Sequence, residues 1–103
     1  MDTASGTPAA SSAPLVRSVT IINQRGLHAR AAAKFVQVVA RFPQARIQVS
    51  KDGQTVNGES IMGLMMLAGT QGSSIEIAAS GPQAEAAMAA LEELVANKFG
   101  EGE

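Results

Sequence analysis

The sequence has no cysteine, no tryptophan, no tyrosine and only one histidine among its 103 residues. Without cysteine there is no disulfide scaffold, no thiolate zinc site and no cysteine nucleophile. Three phenylalanines are the only aromatic residues, 3% of the chain, so the stacking platforms of single-strand nucleic-acid binders are missing. Neither sign of charge dominates. The formal net charge is −1, which gives no basic footprint to draw the molecule towards nucleic acid. The longest apolar runs are far too short to span a bilayer. The amino end has neither a basic segment nor an apolar core segment, so no secretory signal is expected and the cytoplasm is the expected compartment.

A chain of this length suits one domain. It buries roughly 60–65% of the surface it exposes when unfolded, enough for one modest core and one shallow site. Hydrophobic residues make up 46%, but many of them are alanine. The core must therefore come from Val, Ile, Leu, Met and the three Phe. Binding, carrying and simple regulation fit these dimensions better than catalysis in a deep, lidded cavity.

Small and polar residues, Pro and Gly dominate residues 1–14, which lack periodicity. Such a segment cannot offset its ordering entropy, and it is expected to be a disordered tail. The domain is expected to cover 15–99, with 100–103 frayed. Val16, Val19, Ile21 and Ile22 suggest a first strand. Ala32, Phe35, Val36 and Val39 recur at spacings of three and four and predict a helix over 29–41, which Phe42-Pro43 ends. Ile47 and Val49 alternate with polar residues, and Asp52-Gly53 predicts a tight hairpin to a strand over 55–57. Ser60 can cap a short helix running to about 68. Ile75, Ile77 and Ala79 mark the last strand. Pro82 is placed in the first turn of a final helix, whose buried stripe is Ala84, Ala87, Met88, Leu91, Leu94 and Val95. The order β-α-β-β-α-β-α points to an α+β sandwich with one antiparallel sheet.

His28 lies where the loop Arg25-Gly26-Leu27 meets the start of the first helix. The first helical turn has backbone N–H groups without helical partners, and the dipole adds positive character there. Together they make an anion site. Neutral imidazole has a nucleophilic nitrogen near pH 7, and the N–P bond it forms with phosphorus is labile. Arg30, and Arg25 beside it, can add charge-assisted hydrogen bonds. The plainer reading, a polar cap beside a solvated basic patch, remains open on position alone. A metal site is disfavoured, because no second His or Cys exists and no carboxylate lies within a turn of His28.

Gly26-Leu27-His28-Ala29-Arg30, followed by Ala32-Ala33-Lys34-Phe35-Val36, resembles the phosphohistidine motif of the HPr family of the phosphoenolpyruvate-dependent phosphotransferase system. Gly58-Glu59-Ser60-Ile61-Met62-Gly63-Leu64-Met65 resembles that family's second motif, around its regulatory serine. The likeness runs from about Val16 to Leu94. It implies an open-faced β-sandwich, a four-stranded antiparallel sheet with three helices on one face. It also implies that enzyme I, charged by phosphoenolpyruvate, phosphorylates His28 on Nδ1, and that an enzyme IIA-type protein receives the group. Arg30 would neutralise the phosphoryl charge, and the amides of Ala29 and Arg30 would help hold it. Ser60 matches the serine modified by HPr kinase/phosphorylase. No cofactor is implied. Many members have proline where this chain has Ala31. Alanine there is similar to the nitrogen-type branch and its proteobacterial relatives.

The segment 61–67 has more apolar residues than one short helix can bury on one face. Leu64 and Leu67 are expected in the core, with Ile61, Met62 and Met65 outward. Such a patch suits partner docking, and Lys34 is assigned to the same surface. The competing function is a regulatory protein-binding module whose docking is switched by phosphorylation. A small nucleic-acid-binding domain is disfavoured by the charge and the missing aromatics. A carrier that must show one face to several partners is expected to be a monomer.

Overall fold

The stretch Ser-Ile-Glu-Ile-Ala-Ala-Ser alternates apolar and polar side chains, which suits a strand with one face covered and one open. The computed structural model, which describes residues 14–101, makes it β4 (Ser74–Ser80), an inner strand of a four-stranded sheet. The preceding elements are β1 (Leu15–Thr20), α1 (Ala29–Ala40), β2 (Arg46–Lys51), β3 (Gln54–Asn57) and α2 (Ile61–Met66); α3 (Ala84–Ala96) follows. The strand order is β1-β4-β2-β3, with every neighbouring pair antiparallel. Because β4 inserts between β1 and β2, the connection through α1 crosses over it. The fold is therefore an α+β open-faced sandwich with the β-α-β-β-α-β-α order the sequence predicts.

The register sorts the side chains. Ile47 pairs with Ala79 and Val49 with Ile77, all four buried. Leu15, Arg17 and Val19 stand opposite Ala79, Ile77 and Ile75 on the same face. Val16 falls on the other face, which accounts for its 49% exposure. Arg17 reaches the helical layer and pairs with Glu92 of α3 at 3.8 Å. Between the sheet and the helices lie Phe35, Leu64, Met88, Leu91 and Phe99, all essentially inaccessible. Burying each of these side chains stabilises the fold by about 1.5–3 kcal/mol. Ala31, Ala32 and Ala87 are also fully buried; their small side chains let the helices approach closely.

The hairpin between β2 and β3 has Asp52 and Gly53 at φ 53° and 82°. Two successive positive φ values are what a type I′ turn demands. Two boundaries differ from expectation. The first strand ends at Thr20, because Ile21 leaves the ladder to bond with the loop before β4: its N–H donates to the Ser73 carbonyl and its own carbonyl accepts from Gly72. Pro82 is not in the first turn of α3, which begins at Ala84. Gly81 and Pro82 form a preceding turn, and the Gln83 side chain accepts the Gln44 N–H at 2.8 Å rather than capping the helix. The expected tail lies outside the described residues apart from Pro14. At the other end the domain does not stop at residue 99: Gly100 and Glu101 are packed against the body, so the expected fraying is corrected there. Among the described residues no helix is long and apolar enough to cross a membrane.

Candidate functional site

Gly26 allows the turn into α1. Its φ is 67°, and a Cβ there would lie 2.2 Å from the Gly69 carbonyl oxygen. That carbonyl accepts the Leu27 N–H at 2.8 Å. With Leu27 buried, the next residue is delivered to the rim. His28 is half-buried and extended, at φ −75° and ψ 178°, and it is the N-cap of α1.

The His28 ring makes two contacts of opposite sense. Nδ1 accepts the Arg30 backbone N–H at 3.3 Å, and Nε2 meets the Glu101 carboxylate. A backbone N–H only donates and an ionised carboxylate only accepts. The contacts therefore assign the ring proton to Nε2 and leave the Nδ1 lone pair facing the amino end of the helix. That end carries unpaired N–H groups and the positive end of a twelve-residue helix dipole. The Arg30 side chain is exposed, as is that of Arg25 on the loop.

Glu101 is held on its other oxygen as well. Asn23 Nδ2 donates to Oε1 at 3.0 Å and to the Gly26 carbonyl at 2.9 Å. Asn23 is completely buried, so it ties the loop before His28 to the carboxy end of the chain. Burial acts to raise the Glu101 pKa. Hydrogen bonds from His28 and Asn23, with electrostatic attraction to the His28 ring and to the Arg25 guanidinium, outweigh it and hold the carboxyl below its ordinary value. Glu101 is thus an acceptor at neutral pH.

A left-handed turn brings Glu101 there. Lys98, Phe99 and Gly100 have φ of 56°, 55° and 77°. Non-glycine residues in this region cost about 1–2 kcal/mol each. The fully buried Phe99 ring and the bond from Lys34 Nζ to the Phe99 carbonyl at 2.7 Å offset that cost.

A sequence model of the family described as "PTS HPr component phosphorylation site" matches residues 15–97. The chain belongs to the HPr family. It is 48% identical over 89 residues to the phosphocarrier protein HPr of Cupriavidus necator, covering 86% of this chain and 99% of that one. The crystal structure of HPr-C-His from Thermoanaerobacter tengcongensis superposes with a TM-score of 0.81 at 43% identity, over 86% of this chain and 99% of the other. An HPr dimer from the same organism matches with a TM-score of 0.67 at 46% identity, covering 81% and 94%. The protein is a phosphocarrier-type component of the phosphotransferase system, with the open sheet and three helices of HPr.

The two HPr-like motifs occupy different elements that meet. His28, Ala29 and Arg30 are together at the start of α1. Ser60 is the N-cap of α2, its Oγ accepting the Gly63 N–H at 2.9 Å. The loop leaving α2 holds Leu27 through the Gly69 carbonyl. On α2, Leu64 is buried, as is Leu67 just beyond it. Met62 and Met66 are 72% and 67% exposed, with Ile61 and Met65 less so. Met66 thus joins the three outward residues expected from the sequence. Lys34, which the sequence reading assigned to the same surface, is half-buried, and its ammonium donates to the Phe99 carbonyl. Sequence reasoning missed Glu101 and Asn23. The signal for Asn23 was an amide directly after four β-branched residues, Val19, Thr20, Ile21 and Ile22.

Proposed function

We propose that enzyme I, charged by phosphoenolpyruvate, transfers a phosphoryl group to His28 Nδ1, and that His28 passes it to an enzyme IIA-type protein. The observation that carries this reading is the Nδ1 lone pair at the amino end of α1, with the ring proton on the opposite nitrogen. A phosphoryl group on Nδ1 lies against the amides of Ala29 and Arg30, where the helix dipole favours a dianion and the Arg30 N–H, now donating to Nδ1, is released to the phosphoryl oxygens once that nitrogen bonds phosphorus. The exposed Arg30 guanidinium folds over its oxygens. The shallow rim leaves the nitrogen open to a donor and then to an acceptor.

Ile61, Met62 and Met65, with Met66, form the face on which these partners dock; methionine adapts to more than one of them. Ser60 is the site for an HPr kinase/phosphorylase. Phosphate there adds about −1.5 to −2 charges at the α2 amino end. That favours the helix but repels an acidic partner surface, so it blocks transfer by electrostatics rather than by unfolding. The working form is a cytoplasmic monomer.

The test is to mix the protein with enzyme I and labelled phosphoenolpyruvate, then add an enzyme IIA acceptor. Acid-labile label that moves onward is expected. His28→Ala abolishes labelling with the circular dichroism spectrum unchanged. Arg30→Ala slows transfer by about tenfold or more, as loss of a charge-assisted hydrogen bond does, while leaving the melting temperature nearly unchanged. Partner binding without transferable label would instead favour a regulatory docking module.

A further inference from the structure

We infer that Glu101 is a positioning residue for phosphoryl transfer, acting through Nε2 of His28; the inference rests on the phosphocarrier reading of His28. Four observations converge on it. The carboxylate meets Nε2, the nitrogen across the ring from the one that reacts. Its second oxygen is held by the buried Asn23 amide, so it is aimed rather than free. Its side chain is only 12% exposed, which limits screening by water. The left-handed turn at Lys98–Gly100, locked by the buried Phe99, delivers it.

The chemistry follows from where the proton is. The Nδ1 lone pair attacks phosphorus. The bond from phosphorus to the donor's phosphohistidine nitrogen breaks, and its electron pair stays on the donor. The Nε2 proton does not move. The His28 ring, now bonded at both nitrogens, becomes an imidazolium. Its new positive charge lies against the Glu101 carboxylate, while the phosphoryl dianion occupies the opposite side, at the helix amino end. In onward transfer the Nδ1–P bond breaks and its electron pair returns to the ring, restoring the neutral tautomer with Nε2 still protonated. A cationic ring is the better leaving group. Glu101 thus stabilises the state that both half-reactions pass through, and no proton has to be found or lost.

Two measurements test this. In the unphosphorylated protein, proton and nitrogen NMR should show a downfield, exchange-protected Nε2 proton on His28, lost in Glu101→Ala. In the enzyme I assay, Glu101→Gln should lower the maximal rate by about tenfold or more, with the carrier concentration at half-maximal rate unchanged, because the largely buried Glu101 carboxylate acts through the His28 ring. Glu101→Asp, which restores the charge, should recover more of the rate than Gln despite its shorter reach. If the parent protein is labelled normally and Glu101→Gln matches its rate, the positioning role is overturned while the phosphocarrier reading stands. A rate loss in Glu101→Gln that Asp fails to relieve at all, or one confined to the half-maximal concentration, also overturns it. If the parent protein takes no label, the phosphocarrier reading itself fails.

Discussion

A single methyl group added at Gly26 would collide with the Gly69 carbonyl, which the neighbouring Leu27 N–H already uses. The backbone carbonyl cannot swing aside without breaking that bond. Gly26→Ala also puts a Cβ on a residue at φ 67°, itself a cost of about 1–2 kcal/mol. We expect Gly26→Ala to lose about 2 kcal/mol or more by denaturant unfolding, and to lose transfer as His28 leaves its place. Glu101 gives a second residue-scale expectation, read as stability against pH. Its folded-state carboxyl pKa lies below the ordinary value. A depressed carboxylate contributes stability that is complete above the unfolded value and fades as pH falls through the folded one. The stability difference between the parent and Glu101→Gln should therefore be fully present from about pH 5 upward and shrink below about pH 4. Paired urea titrations across that range measure it. A difference that grew on acidification would contradict the assignment of Glu101 as a stabilised anion.

At the scale of elements, α2 joins a cap, a core contact and an exposed face in six residues. Ser60 Oγ satisfies the Gly63 N–H, so Ser60→Ala should cost about 0.5–2 kcal/mol. Ser60→Asp retains a capping oxygen and adds a favourable charge at the helix start. It should keep the parent's melting temperature within a few degrees and yet lower the rate of labelling by enzyme I. Normal labelling of Ser60→Asp would remove the electrostatic account of regulation. These local elements were legible in the sequence because each depends on neighbours in the chain. The 3.6-residue stripe of α1, the Asp52-Gly53 turn and the Ser60 cap are all local physics. The expected Pro82 start failed for the opposite reason: Gln83 is committed to the Gln44 N–H, a partner that no local pattern reveals. The bond from Lys34 was missed for the same cause, since its partner is the distant Phe99 carbonyl.

At the scale of the whole molecule, the site is assembled across the chain. His28 and Glu101 are 73 residues apart, brought together because the sheet, α3 and the last turn return the carboxy end to the loop before α1. The terminal Gly-Glu-Gly-Glu stretch after Phe99 reads as polar and frayed when taken alone. What anchors it is Phe99, whose burial among core residues only the folded molecule displays. This makes the last turn part of the core rather than an appendage, and the two alternatives differ in size of effect. Phe99→Ala should destabilise by about 3–5 kcal/mol, the range for emptying a buried phenylalanine site, against a total of about 5–15 kcal/mol for an ordinary domain. The urea midpoint should fall with little change in slope, because the cooperative unit is the same. The Lys34 ammonium should lose its carbonyl partner, and the Nε2 proton signal of His28 should weaken as Glu101 is released. If the carboxy end were a loosely attached tail, Phe99→Ala would cost under about 1 kcal/mol, as surface changes do, and His28 would keep its environment.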